Sequence, residues 1–227
     1  MILKLLRFEN EVQIGAGYIA TLQIENRTVF ARAVASLLSG QGEQAVEPYA
    51  IWDDGGKKRS ARNAFLPLSS LPDLPLKDRT LLGKLYAKVG LTVSDDIELE
   101  TEVLGTANTL KNQILDMNVE LWGKYDFAAQ WDMAQILKAF SFVPDADDEQ
   151  PLIDRMVGFF GLLADIDMEK PLLMVNAKSF FSPEDLDELA SQAFFYGVRV
   201  LMLESWPDET EHAWERKTCI DRQLLEK

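Results

Sequence analysis

The hydrophobic and polar positions of residues 1–54 change period several times, and each change marks a predicted element. Residues 2–8 (ILKLLRF) and 18–25 (YIATLQIE) are typical of strands, and the second alternates apolar with polar side chains. Apolar side chains then recur every four residues over 26–39, which predicts a helix that ends at the glycines following it. Residues 48–54 (PYAIWDD) predict another short strand. The chain therefore opens as a mixed strand and helix region.

The next segment has no regular period. Residues 55–63 (GGKKRSARN) predict a basic loop or the tip of a hairpin. Residues 66–78 (LPLSSLPDLPLKD) carry three prolines and predict an irregular linker, since proline interrupts helices and central strands.

The middle of the chain has the period of long helices. Residues 94–122 predict one continuous helix, with Ser94 and Asp95 as its capping residues. Its apolar residues follow spacings of seven, three and four along one stripe, which contains Ile97, Leu104, Ala107, Leu110, Ile114, Met117 and Leu121. Residues 131–142 and 152–166 predict two shorter helices, so this whole region predicts a helical leg.

The closing segment has the pattern of a strand, a helix and a second strand. Residues 172–176 (LLMVN) are a continuous apolar run, typical of a strand buried on both faces. Ser182 and Asp185 flank Pro183 in a capping box, which predicts the start of a helix. Residues 198–204 (VRVLMLE) predict the second strand. Because the connections are short, we expect the strands to be parallel, with a right-handed crossover.

These elements together predict an α/β fold with an inserted helical leg. Residues 1–76 and 167–227 are expected to form one head domain with a mainly parallel sheet, in which 217–227 supplies a further short strand. Residues 77–166 are expected to form the leg domain.

Composition narrows the class of protein. The net charge of the 227 residues is −14, from 23 Lys and Arg against 37 Asp and Glu. A negative surface repels phosphates, which argues against nucleic acid unless cations gather locally. Cys219 is the single cysteine, which excludes a disulfide framework within one chain. The first residues lack the pattern of a signal peptide, and no run of 18 apolar residues occurs, so we expect a cytoplasmic protein without a membrane span.

Catalysis has weak support in the sequence. The glycine-containing segments 15–20 (GAGYIA) and 40–45 (GQGEQA) lack the Lys and the Ser or Thr of a phosphate loop. Asn176 ends a predicted strand where an ATPase would carry an acid for magnesium; Glu204, at the end of the next strand, could substitute. A strand-end carboxylate that simply faces solvent is the plainer interpretation. His212, the one histidine, lies in a polar stretch and predicts a surface residue.

Two acidic segments could hold a hard cation such as calcium, which takes clustered oxygen ligands. Residues 145–150 (DADDEQ) are dense in carboxylates but are typical of a solvated loop. Glu120, Asp126 and Asp132 flank the break between two predicted helices and could converge there. The second set is the candidate metal site.

Positive charge is concentrated in one short segment. The dense cluster contains Lys57, Lys58, Arg59 and Arg62. It predicts either a solubilising loop or a surface that contacts phosphates. Isolated cations of the predicted leg are Lys124, Lys138 and Arg155.

Both ends of the chain resemble one protein family. Residues 5–37 (LLRFENEVQIGAGYIATLQIENRTVFARAVASL) are similar to its opening strand, turn, strand and helix. Residues 133–142 (MAQILKAFSF) resemble the helix that leaves its leg turn. Residues 170–205, from KPLLMVNAKSFF to VRVLMLES, followed by 219–226 (CIDRQLLE), resemble its closing half. The family is the small accessory protein of type II-A CRISPR systems, which is needed for spacer acquisition.

The resemblance implies an architecture and a function. It implies a head like that of a nucleotide hydrolase, with a degenerate phosphate loop, and a long helical leg. Four copies would form a ring with a cation-lined hole that binds the ends of double-stranded DNA, without catalysis, and calcium would stabilise the ring. The implied partners are the CRISPR integrase proteins and the RNA-guided effector nuclease; no nucleotide is expected. An acidic exterior would then confine DNA to the hole.

The resemblance also ranks the candidate residues. Lys138 lies in a segment that matches the family, so it is the first choice for a DNA contact. The leg turn of the family carries a dense acidic run, of which only Asp126 and Asp132 remain, and this weakens the expectation of calcium there. Two other functions stay open: a degenerate nucleotide hydrolase that depends on Glu204, and a protein-only assembly scaffold.

Overall fold

The computed structural model describes residues 1–68, 70–117, 122–123, 125–127, 132–145 and 147–226. The chain forms two compact units, residues 1–75 with 146–227 and residues 76–145. The leg predicted from the sequence was residues 77–166, whereas residues 146–166 belong to the first unit.

The elements alternate as expected for an α/β protein. The strands of the described residues are β1 (Ile2–Leu5), β2 (Val12–Gln13), β3 (Ile19–Ile24), β4 (Tyr49–Trp52), β5 (Lys58–Arg59), β6 (Leu66–Leu68), β7 (Leu172–Val175), β8 (Val200–Glu204) and β9 (Glu215–Ile220). The α-helices are α1 (Arg27–Ser39), α2 (Ala61–Ala64), α3 (Arg79–Asp95), α4 (Ile97–Asp116), α5 (Met133–Ala139), α6 (Leu152–Asp165) and α7 (Pro183–Phe195). Short 3₁₀ helices cover Gly42–Gln44 and Ala177–Ser179.

The head is built on a five-stranded sheet in the order β6-β7-β8-β3-β9, and all of its strands are parallel. Ala20 of β3, which lies between β8 and β9, is opposite Leu201 of β8 and Arg216 of β9. The predicted closing unit is confirmed, since β7 and β8 are parallel neighbours joined through α7. The predicted capping box is present: Asp185 N donates to Ser182 Oγ (3.1 Å), and Ser182 N donates to Asp185 Oδ2 (3.0 Å).

A second, antiparallel sheet has the order β2-β1-β4-β5. Its buried residues share a core with α1 and with one face of the parallel sheet; among them are Leu3, Leu5, Tyr49, Ile51, Leu22, Ile24, Ala33, Leu37, Leu201 and Leu203. The alternate residues of the parallel strands point to the opposite face, because side chains alternate along a strand. That face carries the apolar Met174 and Met202 but also the buried polar Thr21 and Gln23.

Two predictions for residues 55–78 have different outcomes. The hairpin tip is confirmed, because β4 and β5 pair antiparallel and Asp53 N donates to Lys57 O at 3.0 Å. The irregular linker is wrong over Leu66–Leu68, which form strand β6 beside β7. Pro67 obscured this strand in the sequence, but β6 is the edge strand, where a missing backbone N–H is tolerated.

The predicted single helix over 94–122 is also corrected. Asp96 interrupts it, and the Asp96 carboxylate accepts from Glu98 N and Leu99 N, both at 3.1 Å, so α4 begins at Ile97. The preceding residues instead end α3, which starts after its cap Asp78. Among the described residues, no helix combines the length and apolar character needed to cross a bilayer.

Candidate functional site

The basic cluster lies on the β4–β5 hairpin and the short helix α2, with all four side chains exposed. Two of them are held by neighbouring acids, since Lys58 pairs with Glu43 and Arg59 Nε lies 2.7 Å from Asp53 Oδ2. Lys57 and Arg62 form no ion pair among the described residues. The structure thus leaves a smaller uncompensated charge than the sequence suggests.

Two further cations, Lys170 and Arg199, lie near the same hairpin. Lys170 Nζ donates to the carbonyl oxygen of Arg62 at 3.1 Å. Arg199 pairs with Asp54 at 3.1 Å, in the turn of the hairpin. Both residues are more than a hundred positions away in the sequence, so no local pattern could have placed them there.

The isolated cations have different surroundings. Lys138 is exposed on α5 in the second unit. Arg155 is mostly buried on α6; its guanidinium lies 3.1 Å from Asp148 and donates to Pro72 O at 2.9 Å. This placement ties α6 to the loop after β6 and suits a structural role. Lys124 lies outside the described residues.

Two of the three candidate metal residues lie in the described part of the chain, and each accepts a local backbone hydrogen bond. Asp132 Oδ1 accepts from Ala134 N at 2.9 Å and so caps α5. Asp126 Oδ1 accepts from Phe127 N at 2.7 Å. Glu120 lies outside the described residues. The acidic loop 145–150 is held differently, because Asp148 pairs with Arg155 and Asp147 Oδ1 accepts from Glu149 N.

The strand-to-helix junction where a phosphate loop would lie is very short. The chain passes from β3 to α1 through Glu25 and Asn26 alone, and the Asn26 side chain accepts from Thr28 N and Val29 N at 3.2 Å. The glycine-containing segment 15–20 leads into β3 rather than following it. Ligands of open α/β sheets bind at the carboxyl ends of the strands, so these glycines lie at the opposite edge. The described junction after β3 therefore contains no phosphate loop, in agreement with the sequence pattern.

Glu204, at the carboxyl end of β8, is buried rather than facing solvent. Burial raises the pKa of its carboxyl to about 7, although a hydrogen bond from Lys178 N (3.1 Å) partly opposes this rise. The plainer interpretation of Glu204 as a solvent-facing carboxylate is wrong. Its side chain supports the turn after β7.

Four charged side chains form a cluster around Asp208. Lys178 Nζ lies 2.6 Å from Asp208 Oδ2 and 2.7 Å from Glu215 Oε1. Lys217 Nζ lies 3.4 Å from Asp208 and 3.6 Å from Glu215 and donates to Thr210 O at 2.9 Å. We call Lys178, Asp208, Glu215 and Lys217 the lysine–carboxylate cluster.

The pKa values within this cluster follow from its geometry. Burial lowers the pKa of the Lys178 ammonium, but the adjacent carboxylates outweigh burial, so the pKa is raised overall. Burial likewise opposes ionisation of Asp208, yet Lys178 and Thr210 hold the pKa of this carboxyl well below its ordinary range. Lys178 and Asp208 are therefore charged at neutral pH.

His212 is partly buried next to this cluster rather than a plain surface residue. Its ring stacks on Trp214, with centroids 4.5 Å apart. One ring nitrogen of His212 and one carboxylate oxygen each of Asp208 and Glu215 lie within 4.8 Å of one another, close enough to share a cation. The two ammonium groups already neutralise the carboxylates, so this group does not suit a metal ion.

Changing Glu204 to glutamine is expected to stabilise the protein, and more so at higher pH. The folded-state pKa is above the ordinary value of 4.5, so the native state binds more protons than the unfolded state between these values, and stability falls as pH rises. Glutamine removes that loss and keeps an acceptor for Lys178 N. The gain is about 3 kcal/mol at about pH 8 and roughly half of that at about pH 5.5. Urea unfolding at both pH values measures it.

The control for this change is Glu188→Gln on the exposed side of α7. It removes the same charge without a buried partner, so we expect little change at either pH. A Glu204→Gln gain that did not grow with pH would show that the carboxyl is already ionised near its ordinary value.

The parallel sheet and the two-residue junction after β3 define the class of protein. It is an α/β protein whose head has the parallel sheet of nucleotide-hydrolase domains but, at this junction, no phosphate loop. Among solved structures, the chain is similar to Stu0660 of Streptococcus thermophilus, with a TM-score of 0.56 and 15% sequence identity. The match covers 100% of this chain and 76% of that chain. At this identity the similarity shows the fold alone. No protein-family model and no curated protein sequence matches the chain.

Proposed function

We propose that the protein is a non-enzymatic double-stranded DNA-end-binding protein, which acts as a homotetrameric ring in CRISPR spacer acquisition. Its partners in this role are DNA ends, further copies of itself, the CRISPR integrase proteins and the RNA-guided effector nuclease. The proposal joins the sequence resemblance to the type II-A accessory family with an α/β head and a separate helical unit.

The observation that carries the proposal is an exposed apolar stripe on α4. We call this set the α4 stripe; its members are Ile97, Leu104, Leu110, Ile114 and the C-cap residue Met117, whereas Ala107 between them is buried. Their exposed fractions run from 39% to 77%. A helix in a monomer normally buries its apolar face, and contiguous exposed apolar side chains mark interaction surfaces. Self-association would cover the stripe and thereby build the ring.

DNA binding fits this assembly electrostatically. With a net charge of −14, an isolated chain repels a duplex on average. A closed ring would gather the exposed cations of several copies, such as Lys138 and those of the basic cluster, around one channel. Such contacts would be to phosphates, and they would be independent of sequence and sensitive to salt.

The carboxyl edge of the parallel sheet, where a nucleotide would bind, supports a function without catalysis. The two-residue junction between β3 and α1 leaves no loop to surround a phosphate. Glu204 is buried and hydrogen-bonded to Lys178 N, so it is not a free ligand for magnesium. The proposal does not depend on calcium.

Two measurements test the proposal. Light scattering coupled to size exclusion should give the mass of four chains, with calcium and with a chelator. A gel shift should retain linear duplex more strongly than closed-circular duplex, because a ring threads onto ends. A monomer at high concentration, or failure on both DNA forms at low salt, would overturn the proposal.

Reversing all four charges of the basic cluster is expected to weaken retention of linear duplex by about tenfold or more at low salt, with a smaller salt dependence. The change replaces Lys57, Lys58, Arg59 and Arg62 with glutamate, and Lys138→Glu is made separately. The gel shift measures both against Arg32→Glu, an exposed cation of α1 that is not part of the cluster. Unchanged retention would remove this cluster from the contact surface.

Two alternatives have distinct outcomes in the same experiments. A protein-only scaffold would form the oligomer and ignore DNA in both forms; the α4 stripe alone favours it as much as the ring. A degenerate hydrolase would bind or turn over ATP, and this activity would be lost in Glu204→Gln.

A further inference from the structure

Glu47 is a fully buried carboxylate whose charge has, in the described part of the chain, only one cation near it and no hydrogen bond. Its side chain is 0% exposed, and neither oxygen accepts a hydrogen bond from any described residue. Its backbone N–H donates to Ser36 Oγ at 2.9 Å, which fixes the residue against the end of α1. Burying an acid without hydrogen bonds is costly, so a buried carboxylate in this state calls for a cationic partner.

The neighbouring cation compensates Glu47 poorly. Arg7 Nε lies 3.6 Å from Glu47 Oε1, which is beyond hydrogen-bond distance, and the Arg7 side chain is 55% exposed. A half-exposed guanidinium is free to swing toward solvent at small cost. Glu47 is then open to another cation that approaches from the same side.

A cavity of about 570 Å³ lies at this carboxylate. Phe8, Val29, Leu224 and Leu225 supply the apolar part of its lining, and the remaining lining residues are polar or charged. Besides Glu47 it is lined by Glu9 and Glu226, so three carboxylates face one arginine there. The Glu226 carboxylate is fixed at the rim, since Glu9 N and Asn10 N donate to it at 2.6 Å.

We propose that this cavity binds a primary alkylammonium group, whose charged end displaces Arg7 from Glu47 while its alkyl stem lies along the apolar walls. The volume is in the range of small-molecule sites, and the carboxylates and apolar side chains of the lining match the two ends of such a ligand. The ligand is a free amine or a lysine side chain of another protein, and both present the same chemistry. This site is independent of the proposed DNA-binding function.

The test titrates isotopically labelled full-length protein with diaminopentane and follows amide shifts by NMR. We expect saturable shifts centred on Phe8, Asn10 and Val29, and no saturation with pentanediol, which has the same stem without charge. Glu47→Gln should weaken binding roughly tenfold to hundredfold, the size of a charge-assisted hydrogen bond. Glu188→Gln, which removes an exposed charge elsewhere, should bind like the unchanged protein.

Further arms keep the proposal testable if Glu47→Gln folds poorly. Leu225→Lys adds an ammonium at an exposed position of the rim and should also weaken diaminopentane binding. An acetylated Gly-Lys-Gly amide that binds more tightly than the diamine would assign the site to a protein lysine, and the reverse order to a free amine.

Three outcomes would overturn the proposal. They are no saturable binding by the unchanged protein, equal binding of diamine and diol, and unaltered binding by both Glu47→Gln and Leu225→Lys. Lys227 follows Glu226 and lies outside the described residues, so the titration is repeated with Lys227→Gln. Binding that appears only in this variant would assign Glu47 to the chain's own lysine.

Discussion

Replacing Leu104 and Ile114 with aspartate is expected to convert the assembled protein to monomers. Both residues belong to the α4 stripe, and each is about two-fifths exposed in the single chain. Burying such a side chain contributes roughly 1.5–3 kcal/mol, so two charged replacements weaken each contact by roughly hundredfold or more. Light scattering measures the mass, and we expect linear-duplex retention to disappear with the ring.

The matched control places the same charges on the opposite side of the helix. Thr109→Asp and Asn112→Asp add two carboxylates to exposed positions of α4 outside the stripe. This variant should keep the oligomer, because a general increase in negative charge is not what disrupts the interface. If both variants assemble, or both dissociate, the α4 stripe is not the contact surface.

Local patterns were sufficient to predict the closing unit and the first long helix of the head. The run LLMVN, the capping box at Ser182 and the run VRVLMLE each specify their own element, and short links then force a parallel pair. The helix over 26–39 was equally clear, because Gly40 with φ 74° ends it in the left-handed conformation. In these segments the local preferences agree with the tertiary fold.

Prediction failed where a local signal conflicted with the tertiary arrangement. Pro67 argued against a strand, but β6 needs to donate few hydrogen bonds at the edge of the sheet. The stripe over 97–121 continued the helical period so smoothly that Asp96 was not identified as a cap. Helix α3 before it was missed because its apolar face is weakly marked; it buries only Leu81 and Tyr86.

The ion-pair partners of the candidate residues could not be predicted from local sequence. The basic cluster is contiguous in sequence, so it was found at once, but its pairing with Glu43 and Asp53 depends on the hairpin. Lys178 and Glu215 meet across 37 positions, and Glu47 meets Arg7 across 40. A buried acid has no periodic signature, since burial is decided by segments that are distant in the chain.

The carboxyl edge of the parallel sheet has no phosphate loop after β3, and Lys178 and Asp208 of the lysine–carboxylate cluster follow strands β7 and β8 there. At this edge of the sheet a nucleotide would supply negative charge that the protein must balance with cations and backbone amides. Here Asn26 caps the helix that would otherwise face a phosphate, and Lys178, which follows β7, pairs with Asp208 and with Glu215, the first residue of β9. The residues at this edge of the sheet are thus held by the protein's own side chains.

Removing the charge of Lys178 is therefore expected to be strongly destabilising. Its side chain is mostly buried, and it lies within 2.7 Å of one carboxylate oxygen each of Asp208 and Glu215. Lys178→Met would leave these acids with Lys217 alone, at 3.4 Å and 3.6 Å. Leaving a buried charge without its partner costs about 3–5 kcal/mol, and urea unfolding at neutral pH measures this loss.

The control for Lys178→Met is Lys57→Met, which removes an exposed ammonium of the first unit that forms no ion pair among the described residues. We expect this change to alter the free energy of unfolding by less than about 0.5 kcal/mol. Equal stability of both variants would show that the cluster is solvated and that the acids do not need Lys178. A large loss in Lys178→Met that is partly restored by Glu215→Gln in the same chain would locate the effect in the uncompensated carboxylate, because the second change removes the charge that the first leaves without its partner.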